Sequence, residues 1–166
     1  MKKVLISLVY LSLLLVFSAS ACKKQKLPSG DHSFYCYIDG ELFVPKGDPN
    51  FTTSPYDDDG YTFYKWEHNT TVYARDYEKY VVFFNTLSRS LGKHYLEESS
   101  GSLLDYSINH AIVVKNGTKY ISKEGSGYIQ YNESNDENVK GTFEFTLYNE
   151  DDDSDVIHVT GGHFDD

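Results

Sequence analysis

Residues 141–164, GTFEFTLYNEDDDSDVIHVTGGHF, decide the fold because two segments of alternating apolar and polar residues flank an acidic run. In the first segment the apolar residues occupy every second position: Phe143, Phe145 and Leu147. In the second segment Ile157 and Val159 alternate with polar residues in the same way. A period of two places each apolar set on one face of a β-strand. Two such strands joined by a polar stretch predict an antiparallel hairpin with residues 149–155 at its tip.

The tip raises the question of a cation site, because five of the six residues from Glu150 to Asp155 are acidic. A calcium loop of the EF-hand kind alternates oxygen ligands, turns at a glycine and ends in a bidentate glutamate. This run has neither the glycine nor the distal glutamate. We therefore interpret it as a solvated turn and expect no metal or other cofactor. The minority alternative is a Ca²⁺ site formed where acidic loops converge, with these ligands: Asp151, Asp152, Asp153 and Asp155.

The rest of the chain repeats short segments of strand character between turn signals, of which Asp39-Gly40 and Asn116-Gly117 are the clearest. We predict strands at residues 33–38, 41–44, 61–67, 70–76, 79–86, 111–115, 118–122, 128–131, 141–148 and 156–160. The pattern predicts an all-β fold, either an antiparallel β-sandwich or a partly open barrel, with roughly 8–10 strands in a single domain over residues 33–166. A short helical turn is expected near residues 99–106.

The N-terminal residues have the pattern of a signal peptide. Lys2 and Lys3 precede the apolar run from Val4 to Phe17, and small residues lead to Cys22. The run spans only about 21 Å as a helix, less than the ~30 Å of a bilayer core, so a permanent transmembrane helix is the weaker interpretation. We predict a lipoprotein signal peptide over residues 1–21.

The four residues Ala19-Ser20-Ala21-Cys22 resemble a bacterial lipobox, in which the cysteine is acylated and becomes the first residue of the mature protein. Such motifs usually carry leucine where this chain has Ala19, so cleavage after Ala21 without lipidation stays open. Residues 22–32 are predicted to be a lipidated cysteine and a flexible tether. We expect the protein in the cell envelope, with a lipid anchor in the outer membrane. The sequence leaves open whether the domain faces the periplasm or the cell surface.

The charge balance excludes one class of partner. The chain has 25 acidic and 15 basic residues, and two of the lysines lie in the signal peptide. Such a surface repels nucleic acid. The expected partners are the membrane, through the lipid, and either a glycan or another envelope protein.

Catalytic and zinc-binding patterns are absent from the sequence, which contains neither GxSxG nor HExxH. Cys36 lies among aromatic residues of a predicted strand and is expected to be a buried, unreactive thiol. His158 and His163 are too few to hold zinc, and His158 is expected on a solvent face. The remaining histidines are expected at exposed ends of elements: His32, His68, His94 and His110. We therefore predict no enzymatic activity, with a hydrolase using paired carboxylates as the alternative.

Aromatic residues make up 16% of the chain, with fifteen Tyr, ten Phe and one Trp. Some of these rings must build the core. The candidates for ligand contact lie on one predicted hairpin: Tyr61, Tyr64, Trp66 and Tyr73. Flat amphipathic rings suit contacts with sugars or proteins, and Tyr64 and Trp66 share a strand face. The alternative is that cross-strand tyrosine pairs only stabilise the sheet.

Four segments resemble an uncharacterised family of small Gram-negative lipoproteins of the Bacteroidetes type, each with one β-rich domain of unknown function. These segments are FYCYIDGELFVPK at residues 34–46, the Gly-x-Tyr-like stretch Gly92 to Leu96, and the C-terminal strands at Lys140 to Thr146 and Ile157 to Phe164. The resemblance implies a lipoprotein with a sandwich-like or half-barrel domain and supplies no catalytic residues. We expect a non-enzymatic binding or interaction module of the cell envelope, with a glycan-binding surface lipoprotein as an alternative.

Overall fold

The computed structural model describes residues 32–47, 60–66, 69–76 and 79–166. Eleven strands form in these ranges: β1 (Phe34–Ile38), β2 (Glu41–Phe43), β3 (Tyr61–Lys65), β4 (Thr70–Arg75), β5 (Tyr80–Thr86), β6 (Gly92–Tyr95), β7 (His110–Lys115), β8 (Thr118–Ile121), β9 (Gly127–Ser134), β10 (Val139–Asn149) and β11 (Val156–Asp165). The described ranges contain no helix, so the all-β prediction is confirmed.

The eleven strands form one antiparallel sheet that curls strongly into a half-barrel. The order along the main path is β2-β1-β11-β10-β8-β7-β5-β4-β3, while β9 pairs with the N-terminal part of β10 and β6 pairs with β9. The curl brings opposite ends of the path together. The amide of Lys46, just after β2, donates to the carbonyl oxygen of Arg75 on β4 at 3.0 Å. Of the two predicted architectures, the partly open barrel is the one that forms.

The C-terminal hairpin has the predicted pairing, with Phe145 opposite Val159 and Leu147 opposite Ile157. All four of these side chains are buried, because they lie on the concave face. Both strands run further than predicted. Gly162 lies opposite Phe143 in the extended part, where the Phe143 ring covers the glycine.

A cluster of aromatic rings fills the concave face. The Phe143 ring lies 5.3 Å from that of Phe34, 5.1 Å from that of Phe84 and 6.4 Å from that of Phe164, measured between centroids. These rings come from β10, β1, β5 and β11, so one cluster joins distant parts of the sheet. Burying each ring stabilises the fold by roughly 1.5–3 kcal/mol.

Two local predictions were wrong. Segment 99–106 forms turns rather than a helical turn, because Gly101 has a φ of 76° and the Ser102 hydroxyl accepts a hydrogen bond from the Leu104 amide. β6 was not predicted, since its sequence GKHY lacks the alternation of a half-buried strand. Pairing with β9 supplies its backbone hydrogen bonds instead.

Several predictions fall outside the described residues. They are the signal peptide over residues 1–21, the lipidation of Cys22, the tether as far as residue 31 and the exposure of His68. A further acidic run of the sequence, Asp57 to Asp59, also lies outside these ranges. In the part of the chain that the structure describes, no helix is long and apolar enough to cross a membrane.

The contact between Gly162 and Phe143 gives a stability prediction. A Cβ at residue 162 would overlap the Phe143 ring, and the crowded core leaves the ring little room to move. Gly162→Ala should lower the free energy of unfolding by about 1–3 kcal/mol, measured by urea denaturation. His158→Ala is the control, because it changes an exposed position of the same strand and should alter stability by no more than about 0.5 kcal/mol. Equal stability of Gly162→Ala and the parent would contradict the packing described here.

Candidate functional site

The convex face of β3, β4 and β5 carries a row of aromatic side chains. Cross-strand pairing sets Thr62 opposite Tyr73 and Tyr73 opposite Phe83, and Tyr64 follows two residues after Thr62. Because side chains alternate between faces, these residues all point away from the aromatic core. The aromatic rings on this face therefore form a row across three neighbouring strands, interrupted by polar side chains such as Thr71 and Asn85.

Residues 97–109, here called the strap, cover part of this face. The Asn85 side-chain amide donates to the carbonyl oxygen of Ile108 at 2.8 Å, and that of Asn69 donates to the carbonyl oxygen of Tyr106 at 2.9 Å. At the other end, the Ser99 amide donates to the carbonyl oxygen of Ser122 at 2.9 Å. The strap is thus fastened to the sheet near both of its ends.

An open groove of about 330 Å³ lies between the strap and the sheet. Its lining residues are Tyr64, Trp66, Thr71, Tyr73, Phe83, Leu103, Leu104 and Tyr106. None of these is charged, and three are tyrosines whose hydroxyl groups can donate and accept hydrogen bonds. The groove therefore offers flat apolar surface with polar groups at the ring tips.

Tyr64 and Trp66 are the most exposed aromatic residues of the groove. Their ring centroids lie 6.4 Å apart, their planes differ by 23°, and they are 44% and 56% exposed. Ring faces of this size are usually covered in a protein of this length. The pair, here called the platform, presents two nearly parallel rings to solvent.

The structure places three of the four aromatic residues singled out from the sequence in the groove: Tyr64, Trp66 and Tyr73. Tyr61 does not join them. Its ring lies 5.3 Å from that of Phe34 on the concave face, and burial raises the pKa of its hydroxyl. Residues 61 and 64 are three positions apart, so they lie on opposite faces of β3. The alternation of side chains along a strand could have shown this from the sequence.

Beneath the strap lies a buried polar cluster that sequence reasoning missed. The Thr71 hydroxyl donates to the side-chain oxygen Oδ1 of Asn85 at 3.1 Å. The Ser99 hydroxyl and the His110 Nδ1 are 2.9 Å apart. His110 was expected to be exposed, but it is 0% exposed because the strap covers it, and burial lowers the pKa of its imidazole. Periodicity in one strand cannot show that a distant loop packs over it.

The acidic tip of the β10–β11 hairpin is closed by its own hydrogen bonds. Asp152 accepts from the amide and the hydroxyl of Ser154 at 2.9 and 2.7 Å, and these bonds hold the pKa of the Asp152 carboxyl below its usual range. Asp155 accepts from the Asn149 side-chain amide and the Tyr120 hydroxyl, both at 2.9 Å. Asp153 pairs with Lys123. These are the contacts of a solvated turn.

The two acidic loops that the structure describes do not converge. Residues 135–138 and 150–155 lie at opposite ends of the eleven-residue β10, and Asp57 to Asp59 lie outside the described ranges. Among the residues that the structure describes, no three His, Cys, Asp or Glu side chains are grouped as metal ligands would be. The minority Ca²⁺ alternative, with Asp151 among its ligands, finds no support in this geometry.

The remaining candidates lie apart from the groove. His158 is exposed on β11, as predicted, and its Nδ1 lies 3.2 Å from the Thr146 hydroxyl. The His163 ring stacks on Tyr35 with a centroid distance of 5.2 Å. Five residues along a strand separate the two histidines by about 16 Å, too far for one zinc ion. Cys36 is buried, as predicted, and burial raises the pKa of its thiol.

The fold and the groove define a class: a single-sheet β half-barrel with an aromatic groove on its convex face. The chain belongs to the family described as a domain of unknown function, DUF6252, whose model matches residues 62–166. No curated protein and no solved structure matches the chain. The match includes every residue lining the groove. Membership of an uncharacterised family is confirmed, and the lipoprotein character remains a prediction.

Burial of Cys36 gives a prediction about thiol chemistry. In a Cys22→Ala variant, which retains Cys36 as its one cysteine, maleimide should label the native protein at least about tenfold more slowly than the urea-unfolded protein, because the thiol is both enclosed and protonated. Adding Tyr95→Cys at an exposed position of β6 should give one rapidly labelled thiol under native conditions. Rapid native labelling of Cys36 itself would contradict its placement in the core.

Proposed function

We propose that the protein is a lipoprotein of the cell envelope, acylated at Cys22, whose half-barrel is a non-enzymatic binding module with the groove as its ligand site. The observation that carries the proposal is the solvent-exposed platform of Tyr64 and Trp66. Large apolar rings exposed side by side on a folded domain mark a surface that contacts a ligand or another protein. The groove supplies both the apolar surface and the polar ring tips that a ligand site needs.

A glycan is the ligand class that fits the groove best. A pyranose ring presents a flat face of C–H groups and an edge of hydroxyl groups, which match an aromatic platform and tyrosine hydroxyls respectively. The uncharged lining favours neutral sugars. The net charge of −10 would repel acidic polysaccharides.

One observation favours the alternative of an envelope protein as partner. Leu103 and Leu104 lie on the strap at the rim of the groove, and Leu104 is 75% exposed. Exposed leucines suit an apolar protein contact better than a sugar. A hydrolase using paired carboxylates gains no support from this site, because the groove residues include no Asp or Glu.

The proposed anchor would hold the groove close to a membrane. Residues 23–31 lie between Cys22 and the first described residue, and an extended chain of that length spans at most about 30 Å. Lys23, Lys24 and Lys26 would lie beside the headgroups and add roughly 1 kcal/mol of attraction each. The module is therefore proposed to work within a few tens of ångströms of the outer membrane.

Acylation can be tested by metabolic labelling. A cell expressing the full chain and supplied with labelled palmitate should incorporate label into the protein, and Cys22→Ala should abolish incorporation, because the thiol is the acylated group. Cys36→Ala is the matched control and should label as the parent does. Equal labelling of Cys22→Ala and the parent would refute the anchor.

Glycan binding can be tested by affinity electrophoresis through gels that contain neutral polysaccharides. Trp66→Ala should weaken retardation by roughly 5–30-fold in apparent Kd, because a stacked ring contributes on the order of 1–2 kcal/mol. Tyr95→Ala is the control, since Tyr95 is equally exposed but lies on β6 outside the groove. If no polysaccharide retards the parent protein, the result counts against a glycan ligand, and the alternative of a protein partner remains.

A further inference from the structure

The strap forms one wall of the groove and is held by hydrogen bonds at its ends. Some of these bonds lie beside the buried His110. Leu103, Leu104 and Tyr106 form this wall, while residues 100–105 bond mainly among themselves, as in the contact of the Ser100 hydroxyl with Asp105. Outside this stretch, backbone bonds join Glu97 to Asn109 and Ser99 to Ser122. The strap is therefore held on the sheet by contacts at its two ends, of which the exposed bond from Asn69 to Tyr106 is one and the buried contact of Ser99 with His110 is another.

His110 adjoins both ends of the strap, because it follows residue 109 directly and its ring meets Ser99 near the other end. It is the first residue of β7, opposite Asn85 of β5, and is 0% exposed. Its Nδ1 meets the Ser99 hydroxyl at 2.9 Å, and the same hydroxyl accepts a hydrogen bond from the Gly101 amide at 3.1 Å. The ring also packs edge-on against Phe83, with centroids 5.4 Å apart.

The second ring nitrogen of His110 lacks a well-formed hydrogen bond. Its Nε2 is buried without a hydrogen-bond partner among the described residues, although the backbone carbonyl of Asp105 acts on the ring. In the neutral ring one N–H or lone pair is left unmatched. In the protonated ring both nitrogens are donors and the site holds a buried positive charge, which costs more than the neutral ring because of the lost solvation.

The groups around His110 come from three elements. From the strap, Asp105 acts on the imidazole with its negative charge and its backbone carbonyl, and Glu97 lies nearby, where its carboxylate accepts from the Asn109 amide at 3.2 Å. From β5, the facing residues Phe83 and Asn85 are uncharged. From the end of β8, Ser122 contributes a neutral hydroxyl that bonds the Glu97 carbonyl at 2.8 Å.

We propose that His110 is a pH-sensitive latch: protonation of its buried imidazole releases the strap from the convex face and removes one wall of the groove. The release itself rests only on the contacts of His110. Its consequence for ligand binding rests on the proposed function of the groove. A module with this latch would hold its ligand at neutral pH and let it go in acid.

The direction of the pH effect follows from burial. Desolvation lowers the pKa of His110, and the charge and carbonyl of Asp105 only partly oppose that shift. With the strap released, the pKa returns to the ordinary value of about 6.5. The fastened state is therefore fully favoured above that pH and loses stability as the pH falls below it towards the lowered pKa.

Trp66 provides a direct reporter, because it is the single tryptophan of the chain and lies in the groove. The full chain should show a change in Trp66 emission as the pH falls from 7.5 to 5.0, with its midpoint below about 6.5. Hydrogen exchange of residues 97–109, corrected for the intrinsic effect of pH, should accelerate about tenfold for each unit by which burial lowers the pKa. His110→Gln should abolish both changes, and His94→Gln should retain them.

Asp105→Asn is a second test that leaves His110 in place. Removing the charge that favours the protonated ring should move the midpoint to lower pH. A parent protein without a pH step, or a step that His110→Gln leaves unchanged, would overturn the latch. Neither readout contains a ligand, so a pH step in a protein that binds no polysaccharide would support the latch and count against the glycan. Polysaccharide binding without a pH step would support the glycan site and overturn the latch.

Discussion

The half-barrel depends on the contact between the Phe143 ring and the bare backbone of Gly162. Only a residue without a side chain lets the ring lie flat on the neighbouring strand, and from there Phe143 reaches rings on β1, β5 and β11. The same region supplies the curvature. Between the pairs Phe143–Gly162 and Phe145–Val159, β11 contains one more residue than β10, and Gly161 takes up the bulge with a φ of 57°. One short stretch thus both bends the sheet and fills the concavity that the bend creates.

Because phenylalanine rings occupy the concave face, the exposed aromatic groove lies on the opposite side. The convex face would be an ordinary wet surface if the strap did not cross it. By covering His110 and Asn85, the strap turns part of that surface into a second buried layer, and by stopping short of Tyr64 and Trp66 it leaves a groove at its edge. The groove therefore depends on the same strap contacts that hide the histidine, which joins the stability of the site to a group whose pKa is lowered by its burial.

Strand alternation was enough to predict most of the sheet and the C-terminal hairpin, because each of those strands has one buried face. It was also enough to show that Tyr64 and Trp66 share a face. It missed β6, whose four residues are fixed by their partner strand rather than by burial. It also missed the burial of His110 and the groove itself, since both depend on where residues 97–109 return to the sheet. Local sequence determines the face of a strand, whereas the covering of that face is a property of the whole chain.

The family match begins at residue 62, inside β3, yet the folding unit begins earlier. β1 pairs along β11 and contributes Phe34 and Cys36 to the core, while β2 adds Phe43, and all three side chains are buried. A fragment cut at the family boundary would keep every residue of the groove but would open one edge of β11 and expose the ring cluster to water. An open edge beside an apolar surface accepts a strand from another molecule. Such a fragment would dimerise or aggregate by strand exchange, so the unit that defines the family is smaller than the unit that folds.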